Sequence, residues 1–203
     1  MTKLYLIRHG LTEWNIHNRF QGSSDIPLCS EGIRQAQKLA ERLKNIKFSS
    51  IYASDLSRAY ETAKIIAQFH NIQVKKIPEL REISFGEWEG LTKDEILQLK
   101  TYDFLAWKSS PHKVEFPGDG SLKKVQQRIE AGLKEIIENN MGEDIVLVSH
   151  GGSLKIAIIT LLGLDLSFYN KFWLGKTSLS IIEIRKDRNI LSLLNDTSHL
   201  ETM

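Results

Sequence analysis

The stretch Leu4-Tyr5-Leu6-Ile7-Arg8-His9-Gly10-Leu11-Thr12-Glu13-Trp14-Asn15 sets the architecture of the whole chain. Four apolar residues in a row predict a short, fully buried strand, and Gly10 marks the turn that ends it. A guanidinium and an imidazole stand side by side just past that strand, with Thr12 and Asn15 beyond them. Ligands of open α/β sheets bind outside the carboxyl ends of the strands. A fixed cation beside a histidine at such a place suits an anionic, phosphorylated ligand. Arg-His-Gly alone is a loose motif, equally compatible with an ordinary polar turn. Its meaning depends on how the other strands end.

Outward from this strand, strand-like and helix-like segments alternate. The polar loop Gln21-Gly22-Ser23-Ser24-Asp25 leads through Pro27 to Ser30, which can cap a helix carrying Ile33, Ala36, Ala40 and Leu43. Ser50-Ile51-Tyr52-Ala53 reads as a second strand. The loop Ser54-Asp55-Leu56-Ser57-Arg58 then opens a helix with Ala59, Ala63, Ile66 and Ala67. A third strand is predicted near residues 73–77, before Pro78. Residues 79–120 predict loops with short helical pieces near 93–99 and 102–108, and 83–120 forms an insertion able to cover a substrate. A long helix follows, with Leu122, Val125, Ile129, Leu133 and Ile136 on one face. Ile145-Val146-Leu147-Val148 is another buried strand, ended by Ser149-His150-Gly151-Gly152, and a nearly all-apolar helix at 154–162 stops at Gly163. Strands at 179–185 and 190–194 fit a hairpin. No repeat, linker or low-complexity tract interrupts the pattern, so residues 1–203 are expected to form a single domain. Strand–helix alternation predicts an α/β fold of three layers, a mainly parallel sheet with helices on both faces.

With 203 residues, 41% hydrophobic and 26% charged, the composition is that of a globular domain and argues against disorder. A formal net charge of +2, with Lys and Arg scattered, leaves no footprint for nucleic acid. No apolar run approaches the roughly 20 residues that cross a bilayer, so no membrane partner is expected. The first strand begins too close to Met1 to leave room for a signal peptide. The single cysteine, Cys29, excludes an internal disulfide, and a cytoplasmic location is expected.

The layout gathers scattered residues. His9 follows the first strand, Arg58 follows the second by a few residues, and His150 follows the strand at 145–148. Parallel strands would open all three loops on one sheet edge and bring two histidines and two arginines together. Each residue alone has an ordinary explanation, a solvated cation or a turn histidine, but the same loop position recurs three times. The six histidines, at 9, 17, 70, 112, 150 and 199, show no metal-ligand spacing, and no Walker-type loop or dinucleotide fingerprint is present.

Phosphoryl transfer to a histidine fits this cluster. A neutral imidazole, with an ordinary pKa of about 6.5, is a competent nucleophile near neutral pH. The transfer asks mainly for positioning and for charge stabilisation on the equatorial oxygens. Arg8 and Arg58 can present paired N–H donors there and His150 a further one, which would make magnesium or any other cofactor unnecessary. A proton must also reach the leaving oxygen. Glu82 is the candidate acid, in the run Leu80-Arg81-Glu82-Ile83-Ser84-Phe85-Gly86-Glu87-Trp88-Glu89-Gly90. Residue type alone does not separate it from Glu79, Glu87 or Glu89.

Ordered along nearly the whole chain are Arg8-His9-Gly10-x-Thr12, Asn15, Gln21-Gly22, Asp25-x-Pro27-Leu28, Gly32-x-x-Gln35-Ala36, Ser54-Asp55-Leu56 with Arg58-Ala59-x-x-Thr62-Ala63, Leu80-Arg81-Glu82, and Ser149-His150-Gly151. Together they resemble the histidine phosphatase superfamily, the relatives of cofactor-dependent phosphoglycerate mutase. The resemblance implies that His9 is the phosphorylated nucleophile and Glu82 the general acid. It implies that Arg8, Asn15, Arg58 and His150 hold the phosphate, with Gln21, Gly22 and the Gly151 backbone nearby. Its substrates are small phosphorylated metabolites, and a homodimer is left open.

Family mutases tend to carry a longer insertion between the acid and the second histidine. Glu82 and His150 lie 68 positions apart, which favours a phosphatase over a mutase. The ending Asn195-Asp196-Thr197-Ser198-His199-Leu200 looks like that of α-ribazole phosphatases and metal-independent phosphoserine phosphatases. Pro111-His112-Lys113-Val114-Glu115-Phe116 is similar to the phosphoserine branch, which places a histidine where this chain has Phe85. An α-ribazole 5′-phosphate or broad-range phosphatase is therefore expected, with phosphoserine phosphatase and phosphoglycerate mutase as alternatives. Phe85, Trp88, Trp107 and Phe116 would either line a pocket for a bulky leaving group or pack in the core. The family's usual Gly-Glu-Ser before the long helix reads Gly118-Asp119-Gly120-Ser121 here, so the substrate rim is expected to differ. Cys29 stands where threonine is common.

Overall fold

The structure, a computed structural model, describes residues 1–100 and 103–201. In chain order its first half holds β1 (Thr2–Arg8), α1 (Glu13–Ile16), α2 (Ser30–Leu43), β2 (Ser50–Ala53), α3 (Ser57–Ala67), β3 (Val74–Lys76), α4 (Lys93–Leu99) and α5 (Phe104–Ser109). There follow α6 (Leu122–Glu138), β4 (Asp144–Ser149), α7 (Gly151–Leu161), β5 (Leu179–Ile184) and β6 (Asn189–Asp196), with short 3₁₀ turns between.

Along β1 the side chains alternate across the sheet. Tyr5 and Ile7 join the core beneath α2 and α3, whereas Leu4 and Leu6 join the one beneath α6 and α7. Burial on both faces explains why the strand reads as a continuous apolar run. The strand order is β3-β2-β4-β1-β5-β6. The first four are mutually parallel, and β5 and β6 add an antiparallel hairpin to the β1 edge. Arg8 lies opposite Ser149, and Ala53 opposite Val148, so β1, β2 and β4 end level with one another. The loops that follow them share one edge.

Several expectations shift at element ends. The helix expected at 154–162 begins at Gly151, because the Glu82 carboxylate, from a distant segment, satisfies the free N–H groups of Gly152 and Ser153. Ser30 is the first residue of α2 rather than its cap; Cys29 holds the cap position without a side-chain hydrogen bond. Ile33 is exposed on that helix, and Leu39 takes a buried place instead. The third strand shortens to Val74–Lys76, and β6 extends to Asp196. The helical piece expected at 102–108 spans Phe104–Ser109; Tyr102 lies outside the described residues. One turn of helix at Glu13–Ile16, capped by the Thr12 hydroxyl, was not anticipated. No helix among the described residues is long and apolar enough to cross a membrane.

The aromatic residues of the insertion resolve mostly into core. Trp88 stacks on Phe85, Trp107 meets it edge to face and Phe116 lies tilted against it, joined by Phe20 and Phe104. Only Phe85 of these four also reaches the cavity described next.

Two glycines hold the turn after β1 against α2. A Cβ on Gly32 would stand 2.0 Å from the Leu11 carbonyl oxygen, and one on Gly10 would stand 2.4 Å from the Gly32 carbonyl oxygen. Backbone meets backbone here, and no side chain fits between.

Candidate active site

The level strand ends open into a cavity of about 450 Å³. Arg8, His9, Asn15, Gln21, Gly22, Arg58, Glu82 and Gly151 all line it, so the fold brings together eight of the nine residues singled out from sequence. The ninth, His150, is fully buried behind His9, their ring centroids 5.1 Å apart.

His9 is 2% exposed, and its Nδ1 lies 2.7 Å from the Gly10 carbonyl oxygen. A carbonyl only accepts, so Nδ1 carries the hydrogen. Burial, then the charges of Arg58, His150, Lys176 and Arg8, hold the pKa of His9 well below its ordinary value. The ring is therefore neutral, with its lone pair on Nε2. His150 is likewise held well below its ordinary value by burial and by Arg58 and Arg8. Its Nε2 lies 2.8 Å from the Ser54 hydroxyl, which already accepts from the Leu56 N–H. With that hydroxyl donating to Nε2, the hydrogen of His150 sits on Nδ1.

The two arginines are braced by backbone. Arg58 donates from Nη1 to the Ser24 carbonyl and from Nη2 to the Gly22 carbonyl, both at 2.7 Å. Its pKa is drawn down to about 10, chiefly by burial. Arg8 donates from Nη1 to the Leu174 carbonyl at 2.5 Å. Four buried polar atoms in this cluster have no hydrogen-bond partner: Arg8 Nε, Arg58 Nε, Asn15 Oδ1 and His150 Nδ1. Orphaned buried groups are rare in folded proteins and need a reason. Three donors, and an amide that presents either an acceptor or, turned over, a donor, suit an oxyanion beside His9.

Geometry separates the four carboxylates. The Glu82 Oε2 accepts from the Gly152 N–H at 3.0 Å, and Oε1 accepts from the Ser153 and Ile83 N–H groups, also at 3.0 Å. The close approach requires Gly152, where a Cβ would stand 2.7 Å from Glu82 Oε1. Glu89 instead accepts from the backbone and hydroxyls of Ser23 and Ser24 and from the Phe85 N–H, bracing the loop that Arg58 grips. Glu87 is exposed, and Glu79 packs over Gly132. Of the four, Glu82 alone lines the cavity.

Gly120 is not on the cavity wall; the neighbouring Asp119 accepts from the Ser84 N–H and pairs with Arg128. A second wall escaped sequence reasoning: Lys155, Tyr169, Trp173, Leu174 and Lys176. Lys155 had a signal, the one charge in the apolar helix at 154–162. The loop residues carried none. Arg19 also lines the cavity but is paired with Glu95 at 3.1 Å. Among the described residues no cluster of His, Cys, Asp and Glu could hold a metal ion.

A family model described as the histidine phosphatase superfamily (branch 1) matches residues 4–197. A protein of Hydrogenobacter thermophilus named phosphoserine phosphatase 1 is 38% identical over 200 residues, which is 98% of this chain and 95% of its own length. The structure of a mutant phosphoserine phosphatase from Entamoeba histolytica, in complex with phosphoserine, superposes with a TM-score of 0.85 at 36% identity, covering 98% of this chain and 100% of that one. A putative α-ribazole-5′-P phosphatase from Escherichia coli gives 0.88 at 30% identity, over 97% and 98% of the two chains.

Proposed function

The chain belongs to the histidine phosphatase superfamily, and on that premise we propose that it hydrolyses phosphate monoesters of small metabolites through a phosphohistidine formed on His9. The observation that carries this reading is the neutral His9, its Nε2 lone pair in a cavity whose orphaned donors await an oxyanion. In the first half-reaction Nε2 attacks phosphorus, the ester P–O bond breaks, and Glu82 gives its proton to the departing oxygen. In the second, Glu82 takes a proton from water as its oxygen attacks phosphorus. The N–P bond breaks with its electrons returning to Nε2, and inorganic phosphate leaves. Arg8, Arg58, Asn15 and His150 hold the equatorial oxygens, with Gln21, Gly22 and Gly151 beside them. The charge they supply makes the reaction independent of metal ions, and the enzyme is read as cytoplasmic.

Hydrolysis is favoured over mutase chemistry because water must be excluded for transfer between hydroxyls. Of residues 83–120, Phe85 is the one on the cavity wall among the described residues. For the leaving group, the apolar side formed by Leu11, Phe20 and Phe85 supports broad range or α-ribazole 5′-phosphate, in line with the likeness to the Escherichia coli protein. Phosphoserine is the second reading, supported by the Hydrogenobacter protein. The test is rapid quenching with a labelled ester in excess EDTA. Acid-labile label should appear on the protein and vanish, with turnover, in His9→Ala. Turnover largely retained in that variant would sink the mechanism.

A further inference from the structure

Thr177 is a β-branched residue held at φ +50°, where such side chains are strained. Strain of this kind persists only where the surroundings over-determine it, and it clusters at active sites. The Thr177 N–H donates to the His9 carbonyl at 3.3 Å, and the Ser178 carbonyl accepts from the Arg8 N–H at 3.2 Å. The Thr177 hydroxyl lies 3.0 Å from His199 Nε2, and the Gly175 N–H donates to Asn195 Oδ1 at 2.6 Å. The turn at 174–178 is thus fastened to the backbone of the nucleophile and of the arginine beside it. Of its five residues Leu174 and Lys176 line the cavity, and Lys176 is the charged one.

Two lysines stand on this wall, and they are not alike. The Lys155 Nζ lies 4.7 Å over the Tyr169 ring and 5.7 Å from the Trp173 ring, so aromatic faces receive its charge. Lys176 has no ion pair, no side-chain hydrogen bond and no ring beneath it among the described residues. Its charge reaches both buried histidines, being among those that lower His9 and His150. In return burial and Arg8, with Glu82 opposing and Arg58 assisting, pull Lys176 down to about 6. An ammonium in this company is costly until an anion joins it.

Resting on the phosphatase reading above, we propose that Lys176 is a further catalytic residue, whose ammonium donates to an oxygen of the phosphoryl group as it passes to and from His9. The charge is conditional. A bound oxyanion favours the protonated lysine, which takes its proton from solvent and forms where negative charge gathers. The contact is to the phosphoryl oxygens and not to the leaving group, so it serves the ester of a neutral alcohol as well as any other.

Tungstate, a tetrahedral dianion that cannot be turned over, is titrated calorimetrically into the parent and Lys176→Met at about pH 7.5, in two buffers of different ionisation enthalpy. The parent should bind it at least about tenfold tighter, the worth of a charge-assisted contact. The parent should also take up protons on binding, and most of that uptake should vanish in the variant. Lys176→Gln is run beside it, with urea midpoints for both; the strain lies in the Thr177 backbone, which neither alters. In both variants kcat/KM should fall at least about tenfold, by the same factor on p-nitrophenyl phosphate and on glycerol 3-phosphate. Tungstate affinity within about twofold of the parent, proton uptake equal to the parent's, a loss confined to one ester, or no tungstate binding by the parent overturns the assignment. The tungstate comparison needs no turnover, so it stands apart from the phosphohistidine trap, which decides the phosphatase reading.

Discussion

Glu82 is held from behind by three backbone N–H groups, and its position is set by the start of α7 rather than by its own loop. If it protonates the leaving oxygen, its removal should matter in proportion to that oxygen's need of a proton. Glu82→Gln should lose about a hundredfold or more in kcat/KM on an alkyl phosphate and less than about tenfold on p-nitrophenyl phosphate. Equal losses would count against the acid role. The urea midpoint is measured alongside, because the glutamine amide would face N–H donors. At this scale the sequence was informative where residues recur at strand ends: His9, Arg58 and His150 each follow a buried strand. It was silent for Tyr169, Trp173 and Lys176, which lie on a connecting loop whose course depends on tertiary packing. Residue type likewise left Glu79, Glu82, Glu87 and Glu89 equivalent; only the folded chain tells which faces the cavity.

Elements meet the site through close backbone contacts. The first turn of α2 presses Gly32 against the turn after β1, with room for no Cβ. Gly32→Ala must push that turn away from the helix and should destabilise the fold by about 3 kcal/mol, read as a lower urea midpoint at unchanged slope. The displaced turn carries Gly10, whose carbonyl holds the His9 ring, so kcat should fall at temperatures where the variant is still folded. A midpoint within experimental error of the parent would show that the contact yields. Element types were legible because apolar spacing reports burial directly. Element ends were less so. The start of α7 depends on a carboxylate some 70 positions away in sequence, and no local pattern encodes such a cap.

Three buried histidines couple the whole molecule to pH. His9 and His150 are held well below their ordinary value, chiefly by burial, and His199 is lowered to about 4 by burial and Arg42. A folded-state pKa below the unfolded value of about 6.5 means that the unfolded chain binds more protons on acidification. The stabilisation is complete above about pH 6.5 and is lost progressively as pH falls toward 4. Asp196, depressed by its pairing with Arg42, adds loss in the same direction at lower pH. The melting temperature should therefore drop steadily from pH 7 to pH 4.5, with a shallower slope in His199→Gln. A flat profile over that interval would contradict the assignment of neutral buried imidazoles. The sheet order has a further consequence. Nucleophile, arginines and acid rest on the parallel core and on backbone contacts that tolerate little change, whereas much of the wall that would meet a leaving group comes from Phe85 and the connection between α7 and β5. Within that connection the Leu174 carbonyl still braces Arg8 and the Thr177 N–H still holds the His9 carbonyl, so a change in what the pocket accepts has to come through side chains such as Trp173 that leave those two backbone contacts in place.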